Sequence, residues 1–534
     1  MLRRLPIGIQ SFEKLRTRGF VYVDKTEYVY RLVHSETPYF LSRPRRFGKS
    51  LLLSTLKAYY EGKKDLFKGL AIEKLEKENA EAWRPAPIFY FDFNGEDYTK
   101  TDIETVLDQF LTEWEDAYRI SGRNGTLGFR FRKLLETAYL KTGRRCVVLV
   151  DEYDKPLLDE IENESEKERT KNVFKGFFSV LKKADDCIQF IFITGVSKFH
   201  KVSIFSDLNQ LRDISLTKDY AALCGITESE LEQYFEREIT EFSEELNVEN
   251  RKCLDKLRET YDGYRFHPDG DYVYNPYSLL NALSDRDFGS YWFETGTPAF
   301  LVKKLRKMEF DVRRFSERTI YATERTLKDY TGDTDDPIPL LYQTGYLTIA
   351  DFDREIREYT LDFPNAEVKY GFVESLIPEY VGDYGSGAGN DVLTLRRYAE
   401  TGDLDGMRRV LTSLFANITY TVSTDPFEHY FQTVIWLTFT LLGKYALCEM
   451  HTCSGRIDCK VETKRFIYLF EFKRDDPAEA ALAQINSRDY GCAFVADSRR
   501  LYKIGVSFDS AKRRLAGWEV ESAEGNRSDS QLTV

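Results

Sequence analysis

The chain has 534 residues, of which 42% are hydrophobic, 31% charged and 14% aromatic. That length is too great for one hydrophobic core and divides into several domains, and the aromatic content excludes disorder over most of it. A net charge of −12 excludes general electrostatic adhesion to nucleic acid, so any such partner must be met in a local groove or after a conformational change.

The first six residues, Met1 to Pro6, lack the apolar run of a secretory leader. The eight cysteines are scattered without a CxxC pair and read as reduced thiols. The longest apolar stretch, 433–443, falls short of the about 20 residues a bilayer needs and is expected to be a buried helix. A cytoplasmic protein without a membrane contact is expected.

In chain order, Phe20 to Thr26 suggests an extended segment followed by a helix. Tyr39-Phe40-Leu41 reads as a buried strand running into the loop 42–48. Leu51, Leu52, Thr55, Leu56 and Tyr59 then form one apolar stripe at helical spacing. Ile88 to Phe93 is a second strand, and helical patterns follow at about 101–120 and 126–142. Cys146 to Val150 is an unbroken β-branched and apolar run, as in a parallel strand buried on both faces. Gln189 to Thr194 repeats it. Strands alternating with helices predict a doubly wound α/β domain over 1–220.

Residues 221–400 read as a helical lid and connecting region. Its aromatic cluster Tyr261, Tyr264, Phe266, Tyr274 and Tyr277 is expected to be core rather than a base-stacking platform. The acidic run 160–168 reads as a solvated helix face, and the Gly-rich stretch 382–389 as a linker. A domain over 401–520 follows, with a helix, strands near 445–451, 456–463 and 466–473, a helix over 478–487 and a strand over 491–496. Residues 521–534 are expected to be a disordered tail.

Residues 41–50 read Leu-Ser-Arg-Pro-Arg-Arg-Phe-Gly-Lys-Ser. A P-loop, GxxxxGK[ST], cradles phosphates with backbone N–H groups at a helix N-terminus. Here Arg43 stands where the first glycine belongs, and a basic helix cap is the competing reading. In the P-loop reading the contacts come from Arg45, Arg46, Phe47, Gly48, Lys49, Ser50 and Leu51. Lys49 reaches the β and γ phosphates, and Ser50 ligates Mg²⁺. Arg45 and Arg46 either touch phosphate or are solvated. About a hundred residues on, Val147-Val148-Leu149-Val150-Asp151-Glu152 ends a strand on two carboxylates. Asp151 would hold the Mg²⁺ and Glu152 would activate the attacking water. An acidic helix start is the alternative there, but both halves in the right order on the right elements favour a nucleotide site. Thr194 ends the next strand, where a polar residue lies beside the γ-phosphate in AAA-type ATPases; a turn residue is the alternative. No arginine finger is assignable, with Arg212 and Arg265 the candidates.

Several runs together resemble the bacterial AAA-ATPase-like family. They are Pro6-Ile7-Gly8, Tyr22-Val23-Asp24-Lys25-Thr26, the loop from Phe40 to Leu51, Leu149 to Pro156, and Ile193 to Phe199. The resemblance covers roughly residues 5–280. It makes the Arg43 departure a family feature, and it implies fusion to a C-terminal nuclease-like domain.

In the last domain, Asp458 in Gly455-Arg456-Ile457-Asp458 precedes Glu471 and Lys473, which sit two apart on one strand face. A hairpin could join them as a D…ExK site, with Asp458 and Glu471 on Mg²⁺ and Lys473 near the attacking water. Isolated surface charges are the competing reading. The segment resembles the PD-(D/E)XK nuclease superfamily, with Glu428 as an additional metal or water ligand and Gln484 on the phosphate backbone. For both, a helix-surface or capping role competes. Zinc on Cys448, His451, Cys453 and Cys459 fits no familiar spacing.

The expected protein is therefore an α/β P-loop NTPase with a doubly wound parallel sheet, a helical lid and a C-terminal PD-(D/E)XK-like domain. It would bind ATP and Mg²⁺, hydrolyse ATP, and act on nucleic acid, DNA before RNA, as a possible homo-oligomer. The alternative is a nucleotide-driven switch whose nuclease fold binds without cleaving.

Overall fold

The computed structural model describes residues 4–35, 37–161, 163–198, 211–294, 301–302, 305, 308, 310, 312–315, 320–328, 336–381, 388–416, 437–438, 446–452, 455–495, 497–509, 512 and 514–523. The chain forms two compact units, 1–295 with 321–367 and 296–320 with 368–534. The region 221–400 is thereby shared between them.

The first unit is built on a five-stranded parallel sheet in the order β2-β3-β4-β1-β5. The strands are β1 (Tyr39–Ser42), β2 (Ile88–Asp92), β3 (Cys146–Asp151), β4 (Ile188–Gly195) and β5 (Arg212–Asp213). Every residue of β3 is buried, which its unbroken apolar run requires when helices cover both faces. Helices Lys49–Tyr60, Ile103–Ala117, Leu127–Thr142 and Glu164–Phe178 connect and flank the strands. The sequence order β1, β2, β3, β4 is not the spatial order: β4 inserts between β1 and β3.

A helical layer follows, with Glu228–Glu245, Asn250–Tyr261 and Pro276–Asp285 around one core. The first of these helices opens with a capping box: Thr227 accepts from the Glu230 N–H, and Glu230 from the Thr227 N–H. Tyr261, Tyr264, Phe266 and Tyr274 are all buried, as an aromatic core requires. The short strands β6 (Ile226–Thr227) and β7 (Val273–Tyr274) pair beside it. Beyond, β8 (Ile320–Thr323), β9 (Thr348–Asp353) and β10 (Glu358–Asp362) form a sheet in the order β8-β10-β9. The helix Ile338–Thr344 before β9 is buried over its first six residues. Its Gln343 Oε1 accepts the Lys198 N–H at 3.0 Å, just past β4.

The second unit carries a five-stranded sheet in the order β11-β12-β13-β14-β15. Its strands are β11 (Ala446–Thr452), β12 (Gly455–Glu462), β13 (Phe466–Arg474), β14 (Arg500–Asp509) and β15 (Arg514–Ala523). The strands β12 and β13 are an antiparallel hairpin, while β13 and β14 run parallel, joined through the helix Ala478–Ser487.

Three expectations need correction. The strand expected over 491–496 is instead a 3₁₀ turn at Cys492–Phe494. The longer run 500–508 takes the place beside β13, pairing with it over nine residues. The strand β15 runs to Ala523, into the expected tail. Glu160, within the acidic run, is 9% exposed rather than on a solvated face, and it is the C-cap of the short helix Lys155–Asp159. Residues 382–387 of the expected linker, Glu428, Cys453 and 524–534 lie outside the described residues, as does 433–443 apart from Leu437 and Thr438. Among the described residues, no helix is long and apolar enough to cross a membrane.

The helix Ala478–Ser487 lies so close to β14 that a Cβ on Gly505 would sit 2.3 Å from the Ala478 carbonyl oxygen and 2.7 Å from the Leu482 nitrogen. Gly505→Ala must push that helix off the sheet, and is expected to cost about 1–3 kcal/mol. Denaturant unfolding of the full chain measures it; an unchanged midpoint would refute this packing.

Candidate nucleotide and metal sites

The loop 43–48 leaves the C-terminal end of β1 and enters the helix Lys49–Tyr60. Arg46 (φ +67) and Gly48 (φ +91) are left-handed, a backbone turn that presents successive N–H groups as an anion-binding concavity. Gly48 is the helix N-cap and makes no side-chain cap bond. The first-turn N–H groups of Lys49 and Ser50 therefore have no intrahelical acceptor. Lys49 is 4% exposed, and its Nζ donates to the carbonyls of Arg43 (2.9 Å) and Pro44 (3.1 Å). Phe47 is buried, edge-on to Tyr264 and Phe266. Arg46 lies over the Tyr277 ring, and the Trp292 indole donates to the Arg45 carbonyl.

Asp151 ends β3 and is 1% exposed. Its Oδ1 accepts the Thr194 hydroxyl at 2.6 Å, and its Oδ2 accepts the Tyr90 hydroxyl at 3.4 Å. Thr194 reaches Asp151 because β4 is the neighbour of β3. Glu152 follows in a left-handed conformation (φ +50), its N–H 3.4 Å from the Thr194 hydroxyl. Burial raises the Glu152 pKa, and the nearby Lys49 charge opposes that rise.

Lys49, Ser50 and Glu152 line one cavity of about 390 Å³, together with Arg45, Arg46, Phe47, Gly48 and Leu51. Its other walls include Pro6, Gly8 to Gln10, Tyr22, Val23, Leu223 to Ile226, Pro276, Tyr277 and Leu280. Away from the loop most of the lining residues are apolar.

The expected residues thus converge at the C-terminal edge of the sheet. Sequence reading missed three others. Arg43, read only as a departure from the motif, has a buried side chain. Asp154 is 1% exposed and accepts from the N–H groups of Val196 and Ser197 and from the Ser197 hydroxyl. It locks the loop after β3 to the loop after β4; its place in the run Asp-Glu-Tyr-Asp was the available signal. The cavity walls at 223–226 and 276–280 carry no motif. Of the finger candidates, Arg212 is exposed on β5, and Arg265 lies over Tyr272 within its own unit.

In the second unit the β12–β13 hairpin brings Asp458 to Glu471, and Asp458 Oδ2 accepts the Phe472 N–H at 2.8 Å. Glu471 is 2% exposed. Its Oε1 accepts from Gln484 Nε2, while Lys473 Nζ donates to Gln484 Oε1 at 2.6 Å and lies 3.7 Å from Glu471. Gln484 therefore bridges the glutamate and the lysine. Burial, and then the neighbouring Asp458 charge, push the Glu471 pKa up to about 7. Its buried Oε2 has no hydrogen-bond partner. Two adjacent carboxylates with an orphaned inward oxygen fit a hard divalent cation. Cys459, one of the cysteines weighed for zinc, is fully buried.

Two family models match the chain. Residues 6–205 match the family described as predicted AAA-ATPase, and residues 426–518 match the PD-(D/E)XK nuclease superfamily. A relative from Azotobacter chroococcum mcd 1, described as an uncharacterized protein in the vnfD 5′ region, is 35% identical over 538 residues, covering 97% of this chain and 99% of its own. Among solved structures, the Aeropyrum pernix ORC2 protein in its ADPNP–ADP complexes is 13% identical, covers 68% of this chain and 91% of its own, and overlays with a TM-score of 0.25. Cdc6p from Pyrobaculum aerophilum is 11% identical, with coverages of 71% and 96% and a TM-score of 0.23. Overlays at those scores carry no argument.

Because the Glu471 pKa rises on folding from its ordinary 4.5 to about 7, the folded unit holds a proton that the unfolded chain releases between those values. Metal-free stability is then fully present below about pH 4.5 and falls as pH rises through the window. Glu471→Gln mimics the protonated side chain at every pH, so denaturation of both proteins at several pH values should show wild type losing stability relative to the variant from pH 4.5 to 7; a difference independent of pH would refute the shift.

The parallel sheet, the lysine loop, the paired acidic strand end and the matching models agree: the chain belongs to the predicted AAA-ATPase family and carries a PD-(D/E)XK nuclease-superfamily domain over 426–518.

Proposed function

We propose that the first unit binds and hydrolyses ATP with Mg²⁺, and that this cycle controls metal-dependent cleavage of nucleic acid, DNA before RNA, by the second. The observation that carries the reading is the meeting of Lys49, Ser50 and Glu152 in one cavity beside the Thr194–Asp151 hydrogen bond.

The triphosphate would lie on the N–H groups of the loop and the first helical turn. Lys49 exchanges its two loop carbonyls for β- and γ-phosphate oxygens, so the loop already holds the ammonium where the anion arrives. Ser50 and Asp151 are the residues that would hold Mg²⁺. Thr194 donates to Asp151 and so fixes the face the carboxylate presents. Glu152 orients the water and takes its proton as the oxygen attacks the γ-phosphorus, with ADP as leaving group. The Lys49 charge opposes the rise that burial imposes on the Glu152 pKa.

In the second unit Asp458 and Glu471 would hold Mg²⁺, which when bound polarises the phosphodiester and acidifies water. Lys473, held beside Glu471 by Gln484, positions that water and offsets negative charge in the transition state.

Lys49→Ala is expected to lower ATP turnover at least about 100-fold, and Glu152→Gln to do so while ATP still binds. Glu471→Ala should abolish Mg²⁺-dependent cleavage and spare ATP turnover. All are read on one preparation, by phosphate release and by degradation of single- and double-stranded DNA and of RNA. Wild type that turns over ATP but cuts none of them, in any nucleotide state, would instead make the protein a nucleotide-driven switch with a non-cleaving binding module.

A further inference from the structure

Arg43 occupies the position of the first glycine in the phosphate-binding motif. Its backbone does not need a glycine, because the left-handed positions in the loop are 46 and 48. Its side chain is 1% exposed. One guanidinium nitrogen, Nη1, donates to the carbonyls of Ser42 (2.9 Å) and Ser215 (2.8 Å), and Nη2 donates to Tyr220 (3.1 Å). The guanidinium carbon lies 3.9 Å from the centroid of the Phe266 ring. Among the described residues no carboxylate makes an ion pair with it.

A desolvated cation without a counter-ion is costly unless dipoles and hydrogen bonds surround it. Arginine suits this setting because its planar fork can stack on an aromatic face while several donors stay satisfied. The main chain of the same residue lies at the centre of the site. The Arg43 carbonyl accepts Lys49 Nζ, and the Arg43 N–H donates to the Gly195 carbonyl, one residue beyond Thr194. Phe47, later in the loop, meets the same Phe266 ring at 5.6 Å. Two side chains of one loop thus grip one ring that belongs to the segment 264–273. The Ser215 and Tyr220 carbonyls lead directly into the cavity wall at 223–226.

We propose that Arg43 and Phe266 are a positioning pair for nucleotide binding: the stacked guanidinium holds the loop open for the triphosphate, and makes that loop's shape depend on the packing of the 264–273 segment. The proposal rests on the reading that this loop binds ATP. Neither residue touches the reacting atoms; both act through the placement of Lys49 and of the cavity wall. A triphosphate on the loop supplies the negative charge that the buried guanidinium lacks, so bound nucleotide and the stacked pair stabilise each other.

The test measures ATP affinity in the presence of Mg²⁺ by equilibrium dialysis, with turnover and thermal unfolding on the same samples. Wild type is measured first, and an absence of ATP binding there refutes the nucleotide reading itself. Given binding, Arg43→Lys keeps the charge but loses the fork and the stack, and Phe266→Leu keeps the burial but loses the ring. Each is expected to raise Kd and KM about tenfold or more while kcat at saturating ATP stays within about threefold. The double variant should be little weaker than the weaker single one, because both remove the same contact. Phe266→Tyr, which keeps the ring, should stay within about threefold of wild type. Single variants that unfold like wild type and bind within about twofold of it would overturn the proposal, as would losses that multiply in the double variant. A measurement on wild type alone guards against poorly folded variants: ATP should slow amide exchange across 264–273 as well as 43–50. Slowing confined to the loop would equally overturn it.

Discussion

One hydrogen bond organises the first unit: the Thr194 hydroxyl on Asp151 Oδ1 at 2.6 Å. It exists only because β4 stands between β1 and β3, so that the strand carrying Thr194 separates and joins the loop strand and the acidic strand. In a parallel sheet the carboxyl ends of neighbouring strands open on the same crevice. The sheet order therefore brings Lys49, Asp151, Glu152 and Thr194 to one edge although they are spread over more than a quarter of the chain.

Charge burial is the second common thread. Arg43, Lys49, Asp151, Asp154 and Glu471 are all nearly inaccessible. Most of their polar atoms meet fixed partners: carbonyls for Lys49 and for the two terminal nitrogens of Arg43, whose Nε has none, and N–H and hydroxyl groups for the two aspartates. Such groups are already oriented before a ligand arrives, which is what electrostatic stabilisation of a transition state asks of a site. Glu471 differs. One oxygen is held by Gln484 and the other is buried without a hydrogen-bond partner.

Sequence reading located the lysine loop, the acidic strand end, Thr194 and the D…ExK residues, because each is a short pattern tied to a recognisable strand or helix. It also read Tyr261, Tyr264, Phe266 and Tyr274 as core, but did not show that Tyr277, expected to join them, lines the cavity instead. It failed at the strand over 491–496, where a short apolar run beyond a helix became a turn and the longer run 500–508 took the pairing. Nothing local distinguishes those two runs; the extended register with β13 does. Arg43 was visible as a departure from the motif, but its burial depends on Ser215, Tyr220 and Phe266, which are far from it in the chain.

By itself the sequence determined where a lysine loop, an acidic strand end and a D…ExK pattern lie, and that the runs 39–41, 88–92 and 146–150 are strands. Periodicity and side-chain type are local properties, and a phosphate loop is a local structure. Only the tertiary structure decided that β4 intervenes between β1 and β3, that the cavity is walled by 223–226 and 276–280, and that the guanidinium of Arg43 stacks on Phe266. These arise from contacts between segments distant in sequence, whose free energy comes from joint burial and mutual hydrogen bonding and so leaves no trace in any one segment.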